Sequence, residues 1–299
     1  MATAGLSQVQ RRRLTCALFV LPALAVVFLF FLYPMLRALL LSFTNWDGIS
    51  RTWQWVGLKN FRTVVLDSTF RQISFNTVYL AIIYVPVLNV VALLLAVGVY
   101  NAGRAGNVYK AMLFFPNLLS MTVIAMIWNM IYRYDGLFNQ FLKLVGLKGL
   151  MQDWLGQINT VLPAMSITII WFAMGYYLLI YLAGLNTVPV EIYESAEVEG
   201  VSAWQKLVRI TIPLIAPSIT INAVLSTIGI ITLFDLPFVL TRGGPGFKSQ
   251  TIAMQVYAYA FQQLRTSYAL ALAVILGVFA VLITSLQLSI LRRREEASR

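Results

Sequence analysis

The chain has no histidine and a single cysteine, Cys16, and only 11% of its 299 residues are charged, with 22 Lys and Arg against 11 Asp and Glu. Without imidazole, and with one thiol at the start of an apolar run, the usual general base and the commonest transition-metal ligands are missing, and no disulfide framework can form within the chain. Soluble domains carry about a quarter of their residues as charges. A chain this poor in charge and 60% hydrophobic is a polytopic membrane protein. A net charge of +11 would suit nucleic acid, but the basic residues are scattered through loops and ends with no aromatic-interleaved basic patch. They are read as membrane-surface contacts, and no nucleic acid is expected as a partner. Nucleotide hydrolysis by this chain is excluded on spacing. Gly243-Gly244-Pro245-Gly246-Phe247-Lys248-Ser249 lacks the spacing between its first glycine and a Gly-Lys pair that a phosphate loop requires, and no such motif occurs elsewhere.

What is present is a series of long apolar runs. Arg11, Arg12 and Arg13 precede the first, from Leu14 to about Leu36. It is longer than the apolar region of a signal peptide and no small-residue cleavage site is evident, so it reads as a retained span; about 20 residues cross a hydrocarbon core of about 30 Å. Arg37, one residue further on, is placed either to snorkel to the far interface or to face a polar pathway. The second span is expected from about Ile73 to Tyr100 and the third from about Ala111 to Tyr132, with a kink at Pro116. Val161–Leu185 forms the fourth, Pro213–Leu240 the fifth and Ser267–Leu291 the sixth. Residues 44–71, with Trp46, Trp53 and Trp55 suited to a membrane surface, 133–160 and 241–266 read as loops on one side, and 101–110 as a short turn on the other. The expected class is an all-α polytopic membrane protein of six transmembrane helices, with an N-terminal segment 1–13, a transmembrane domain 14–291 and a tail 292–299.

Between the fourth and fifth spans, within a loop over residues 186–213, lies a polar island from Glu191 to Pro213. Pro189 suits the first turn of a helix, and Glu191 and Glu194 then sit near the positive end of its dipole. Gly200 is the one residue there that turns with positive φ at no steric cost, and a second helix is expected after it with Val201, Trp204, Leu207 and Val208 along one side. Pro213 then opens the next apolar run. Taken alone, the acids also suit an ordinary solvated face of a cytoplasmic loop.

The spacing Glu194-Ser195-Ala196, three residues, Gly200, nine residues, Ile210-Thr211-Ile212-Pro213 resembles the "EAA" signature of permease subunits in binding-protein-dependent ABC importers. Ser195 stands for the usual Ala, Glu199 for the Asp common before the glycine, and Ile212 for Leu. The resemblance implies a cytoplasmic coupling-helix loop that docks on a separate ATPase. In it Glu194, with Glu191 and Glu199 nearby, would face basic groups of the ATPase, Gly200 would form the elbow, and Trp204 and Leu207 would pack into its cleft. Ser195, Ala196 and Pro213 complete the matched positions. Phe234-Asp235, Leu240-Thr241 and Gly243-Gly244-Pro245 resemble a stretch at the outer end of the fifth helix of carbohydrate-type ABC permeases. Val56-Gly57-Leu58-Lys59-Asn60-Phe61 and Gly136-Leu137-Phe138-Asn139 resemble segments of the same group. The chain is thus similar to the first permease of maltose- or glycerol-phosphate-type systems.

That resemblance implies a sugar or sugar-like solute, a second permease subunit, two cytoplasmic ATPase subunits, an extracytoplasmic solute-binding protein and a multi-pass location in a prokaryotic cytoplasmic membrane. ATP and Mg would be bound by the partner ATPase, with no cofactor on this chain. Sugar rings offer apolar C–H patches and dense hydroxyls, so aromatic faces with amides and carboxylates are the candidate contacts: Trp128, Asn129, Trp171, Tyr176, Tyr177, Asn222 and Asp235. Each also suits packing. Asp235 is the one acid in an expected span, and an acid there normally faces a protein interior or an aqueous cavity. Lys and Arg divide almost evenly between the two sides, so placing both termini in the cytoplasm rests on the arginine triplets abutting the first and sixth spans and on the island. An ion-coupled secondary transporter is the alternative, for which Asp235 and Arg37 are a thin supply of ionisable groups. A membrane-embedded transferase would need a base or metal cluster that the island does not offer.

Overall fold

A computed structural model describes residues 8–297. The parts of the two expected terminal segments that fall on residues 1–7 and 298–299 lie outside the described residues. Within them regular structure is helical, apart from an antiparallel bridge between Thr44 and Trp55. Four helices are long and apolar enough to cross a membrane: Leu14–Leu41, Ser68–Asn101, Val161–Leu185 and Thr266–Arg293. Two further spans are bent pairs, Gly103–Leu118 with Met121–Leu144 at 95° and Ala203–Leu214 with Ala216–Ile231 at 76°, which brings the number to six when each pair counts as one.

The second and fourth spans pack against each other along their length and form the centre of the bundle. Leu80, Tyr84, Leu88, Ala92 and Ala96 repeat every four residues and so share one face of the second span, buried against Met165, Ile169, Ala173, Leu178 and Tyr181 of the fourth. Small residues let backbones approach closely, which is where helix association in lipid gains most. A Cβ on Gly175 would stand 2.2 Å from the carbonyl oxygen of Leu113, so the third span crosses the fourth at that glycine. The fifth span lies against the second, fourth and sixth. The first touches the sixth through its C-terminal part, Tyr33–Leu41, and its most apolar stretch buries no residue within the chain.

Prolines account for most departures from the regular spans read in the sequence. Phe28–Leu32 and Lys206–Thr211 are π-helical turns just ahead of Pro34 and Pro213, where the missing N–H and the ring displace the i−4 carbonyl. Around Pro116 the third span does more than kink. It tightens into a 3₁₀ turn, Phe115–Leu118, stops, and restarts at Met121 with Ser120 Oγ accepting the Val123 N–H at 3.3 Å. The expected fifth span also breaks. Its helix Ala216–Ile231 ends at Thr232, and a separate helix, Asp235–Leu240, follows, so Pro213 closes the preceding helix and the break falls at Ile215. The segments read as loops hold short helices, Lys59–Leu66, Leu137–Leu144 and Ile252–Tyr257, the last running into a π-helical turn Ala258–Gln262.

Side-chain clasps fix the end of the bundle opposite residues 186–213. Asn76 donates to the carbonyls of Phe247 and Gln250 at 2.7 and 2.9 Å, and Asn129 to that of Leu240 at 2.8 Å, so the second and third spans both hold the turn after Leu240. Asp67 caps the second span through the Thr69 N–H at 2.8 Å and accepts the hydroxyls of Tyr259 and Tyr268 at 3.0 and 3.3 Å. Arg265 lies over the Tyr268 ring, 4.3 Å from its centroid. Partial burial raises the Asp67 carboxyl, but the Thr69 amide and the two hydroxyls outweigh it and hold the group below the ordinary carboxylate value.

Candidate functional site

The island folds as a helix, an elbow and a second helix. Pro189 stands at the N-cap, one position ahead of the first turn expected for it, and the helix runs Val190–Val198. It ends because Gly200 takes a φ of +72°, which lets the Val201 N–H reach the Ala196 carbonyl at 3.0 Å and the Gly200 N–H reach that of Glu197 at 3.1 Å. These two bonds are a Schellman closure, which satisfies carbonyls that the helix end leaves free. Ser202 restarts the chain with a reciprocal cap: its Oγ accepts the Gln205 N–H at 3.3 Å and its own N–H donates to Gln205 Oε1 at 3.1 Å. Lys206 Nζ pairs with Glu197 Oε1 at 2.6 Å across the elbow and ties the two helices together.

The pair rests on the ends of the second and fourth spans. Ala196 is buried and the Tyr193 ring lies 6.2 Å from Tyr100, while Ser195 Oγ donates to the Glu191 carbonyl at 2.7 Å. A cavity of about 470 Å³ remains beneath, lined by Tyr100, Leu185, Tyr193, Trp204, Leu207 and Thr211 among others. Outward the pair presents Glu191, Glu194 and Glu199, all exposed, beside Val198 and Trp204, which are 90% and 69% exposed. An apolar surface rimmed by charge is the usual form of a docking site. The single apolar side expected for the second helix is divided: Trp204 and Leu207 both line the cavity, Trp204 while still largely exposed, whereas Val208 stays exposed outside it. The π-helical turn changes the residue spacing along the helix, which an ideal 3.6 period does not foresee. The Glu197–Lys206 pair was not foreseen either; its only signal is opposite charges straddling the glycine.

In the bundle, the seven candidate solute contacts do not form one cluster. Tyr176 and Tyr177, ring centroids 5.3 Å apart, line a cavity of about 190 Å³ together with Tyr84, Asn117, Phe172 and Gly229. Asn117 sits in the 3₁₀ turn of the broken third span and donates to the Phe172 carbonyl at 2.6 Å. Tyr84 and Asn117 were not singled out in the sequence, where nothing marks which face of a span turns inward. Trp128 and Trp171 pack edge to face at 5.5 Å, away from that cavity. Asn129 holds the turn after Leu240, and Asp235 is exposed at the start of its own short helix instead of lying within a span.

Asn222 is fully buried and donates to the Tyr177 carbonyl at 3.0 Å, so it joins the fifth span to the fourth. It belongs to a polar belt in which Tyr181 donates to Asn89 Oδ1 at 2.7 Å, Asn89 donates to Ser226 Oγ at 3.1 Å, and Ser226 donates to the Asn222 carbonyl at 2.7 Å. The belt locks the second, fourth and fifth spans together. Among the described residues no group of three or more Cys, Asp or Glu side chains is placed to hold a metal ion.

Comparison with known proteins agrees with this architecture. Residues 89–296 match the family model described as binding-protein-dependent transport system inner membrane component. The chain is 30% identical to a probable ABC transporter permease protein, YurN, of Bacillus subtilis (strain 168), covering 96% of this chain and 99% of that one. It is also 30% identical to the lactose transport system permease protein LacF of Rhizobium radiobacter, over 93% of this chain and 94% of the relative. A crystal structure of a bacterial ABC transporter involved in importing the acidic polysaccharide alginate contains a chain of the same fold, with a TM-score of 0.81, 23% identity, and coverage of 95% of this chain and 96% of that one. The chain therefore belongs to the family of binding-protein-dependent transport system inner membrane components, and is a permease subunit of an ABC importer.

Proposed function

We propose that this chain forms half of the pathway for a sugar or sugar-like solute and that residues 186–213 couple that pathway to a separate ATPase. A second permease closes the other half, two ATPase subunits seat on the coupling helices of the two permeases, and a solute-binding protein delivers from outside. The capped helix pair turning at Gly200 carries the coupling part of this reading, because it presents Val198, Trp204 and three free carboxylates on a rigid support. On this reading Glu194 meets basic groups of the ATPase, Trp204 enters its cleft, and both termini share the cytoplasmic side with the elbow. The sugar class is supported by the relatives, among them LacF and the probable starch degradation products permease AmyD of Thermoanaerobacterium thermosulfurigenes. The cavity bounded by Tyr84, Asn117, Tyr176 and Tyr177 offers the pairing of ring faces and amide that a pyranose needs.

The test is recovery of partners from native membranes in mild detergent, read by mass spectrometry on the tagged chain. One second permease and one ATPase should appear in a fixed ratio, and Glu194→Lys should release the ATPase while the chain still inserts and still holds the second permease. A chain recovered without any ATPase across several detergents would refute the coupling role and favour an ion-coupled carrier.

A further inference from the structure

Residues 241–266, expected as a loop, help to build a third cavity at the outer end of the bundle. It has a volume of about 200 Å³ and lies between the short helix Asp235–Leu240 and the helix that begins at Ile252. Phe238 and Tyr257 wall it with ring centroids 5.3 Å apart and planes at 73°, within an aromatic cluster that extends to Phe234 and Phe261. Gln250, Gln262 and the exposed Arg242 complete the polar part of its lining, with the Gln250 side-chain amide donating to Gln255 Oε1.

Two features set this cavity apart from a solvated surface dent. Arg242 has a φ of +51°, a backbone state that a residue with a side chain adopts only at a cost, and such strain collects at functional positions. Its guanidinium has no hydrogen bond or ion pair among the described residues, whose one carboxylate–ammonium pair is Lys206 with Glu197. The nearest acid in the sequence, Asp235, opens the same short helix at its other end and does not line the cavity. The second feature is the turn Ala258–Gln262, which contributes Ala258 and Gln262 to the wall. Of the three π-helical turns among the described residues, the other two are each followed within two residues by a proline that accounts for them, whereas no proline follows Gln262. π-helical turns without such a cause are common at functional sites.

From these we infer that the outer cavity is an entry subsite that prefers sugars bearing an anionic group, with Arg242 contacting the anion and Phe238 and Tyr257 packing on the ring. This rests on the sugar reading above and narrows it. A neutral pyranose can use the rings and amides alone. A hexuronate adds a carboxylate that accepts two parallel N–H bonds from the planar guanidinium fork, a geometry that arginine matches and lysine does not. One charge-assisted bond in a partly enclosed site corresponds to about tenfold in affinity.

Saturation-transfer NMR on the purified complex of permeases and ATPases, without the soluble binding protein, tests this with glucuronate and glucose as probes. Glucuronate should saturate at a concentration about tenfold below glucose. Arg242→Gly, which removes the charge and at the same time suits the positive φ, should bring the two probes level. Arg242→Lys should keep part of the preference, and raising the salt should shrink it in the unaltered protein. Equal signals from the two probes, or a preference that survives both Arg242→Gly and high salt, would overturn the inference. Uptake of a saccharide panel by the intact transporter separates the two levels. Sugar uptake with no probe preference sinks the entry subsite alone, whereas uptake of no saccharide at all sinks the sugar reading beneath it.

Discussion

The elbow at Gly200 makes a prediction with an internal signature. Gly200 sits at a φ of +72°, and a Cβ built on it meets no atom within 4 Å. A side chain there is therefore opposed by backbone conformation alone, with no collision. The left-handed state costs an ordinary L-residue about 1–2 kcal/mol, whereas Asn visits it routinely. Pro is worse still, because its φ is fixed near −65° and it lacks the N–H that reaches the Glu197 carbonyl at 3.1 Å. If the elbow must be formed for the ATPase to dock, coupling should fall in the order Gly, Asn, Ala, Pro. Ala should lose about fivefold to thirtyfold in the population of the docking conformation, and Pro more than a hundredfold at about 3 kcal/mol. The assay is solute-stimulated ATP hydrolysis and uptake in proteoliposomes, with insertion checked by gel filtration. A collision at the docking face would instead rank the substitutions by size, with Asn worse than Ala. That result, or full activity in the Pro variant, would refute the conformational argument.

Other positions give independent checks. Gly175→Ala should destabilise the bundle by about 1–3 kcal/mol, because the added methyl meets third-span backbone at Leu113 and Phe114. Gly98→Ala, with open space around its Cβ, should be neutral or gain up to about 1 kcal/mol in helix propensity; thermal midpoints in detergent compare the two. Tyr181→Phe leaves the half-buried Asn89 Oδ1 without that donor and should cost about 0.6 kcal/mol and at most about 1.7, the mean and maximum for hydrogen bonds between membrane helices, read by the same melts. Asp67 lies below its ordinary pKa when folded, so its contribution is full above the unfolded value and is lost as pH falls through the folded one. Below about pH 4 the wild-type midpoint should therefore fall faster than that of Asp67→Asn, and parallel curves would remove Asp67 from the account of acid sensitivity.

The fourth span is legible from end to end, because Val161–Leu185 is an unbroken apolar run between polar neighbours and nothing inside it competes with the helix. The elbow is legible for a different reason: one glycine and an acid in the first turn state the same local conformation, and the Ser202–Gln205 cap, which the sequence reading does not single out, agrees with them. What could not be read are choices that depend on neighbours. Pro116 announces a disturbance, but that the third span stops and turns through 95° depends on Ser120 capping a new helix and on Asn117 finding the Phe172 carbonyl. Ile252–Tyr257 is too short for its period to stand out, and it is held by Thr251, which caps it and donates to Leu233 at 2.8 Å. Tyr84 becomes a cavity wall only when the second span has chosen which face to turn towards the fourth. Asn222 carried a polar signal that was real, and the fold uses it to join helices.

The bend at Ile215 has a mechanical consequence. The second helix of the elbow and the main helix of the fifth span meet there at 76° with one residue between them, so they are two arms of a bell crank with its pivot at Ile215. The long arm has 16 residues, about 24 Å at 1.5 Å each. A rocking of about 5° at the pivot thus carries its far end through about 2 Å. That far end is Ile231, next to Gly229 and Ile230 in the wall of the central cavity. A displacement too small to unseat the short arm is thus enough to move the wall of that cavity, with no helix needing to unfold.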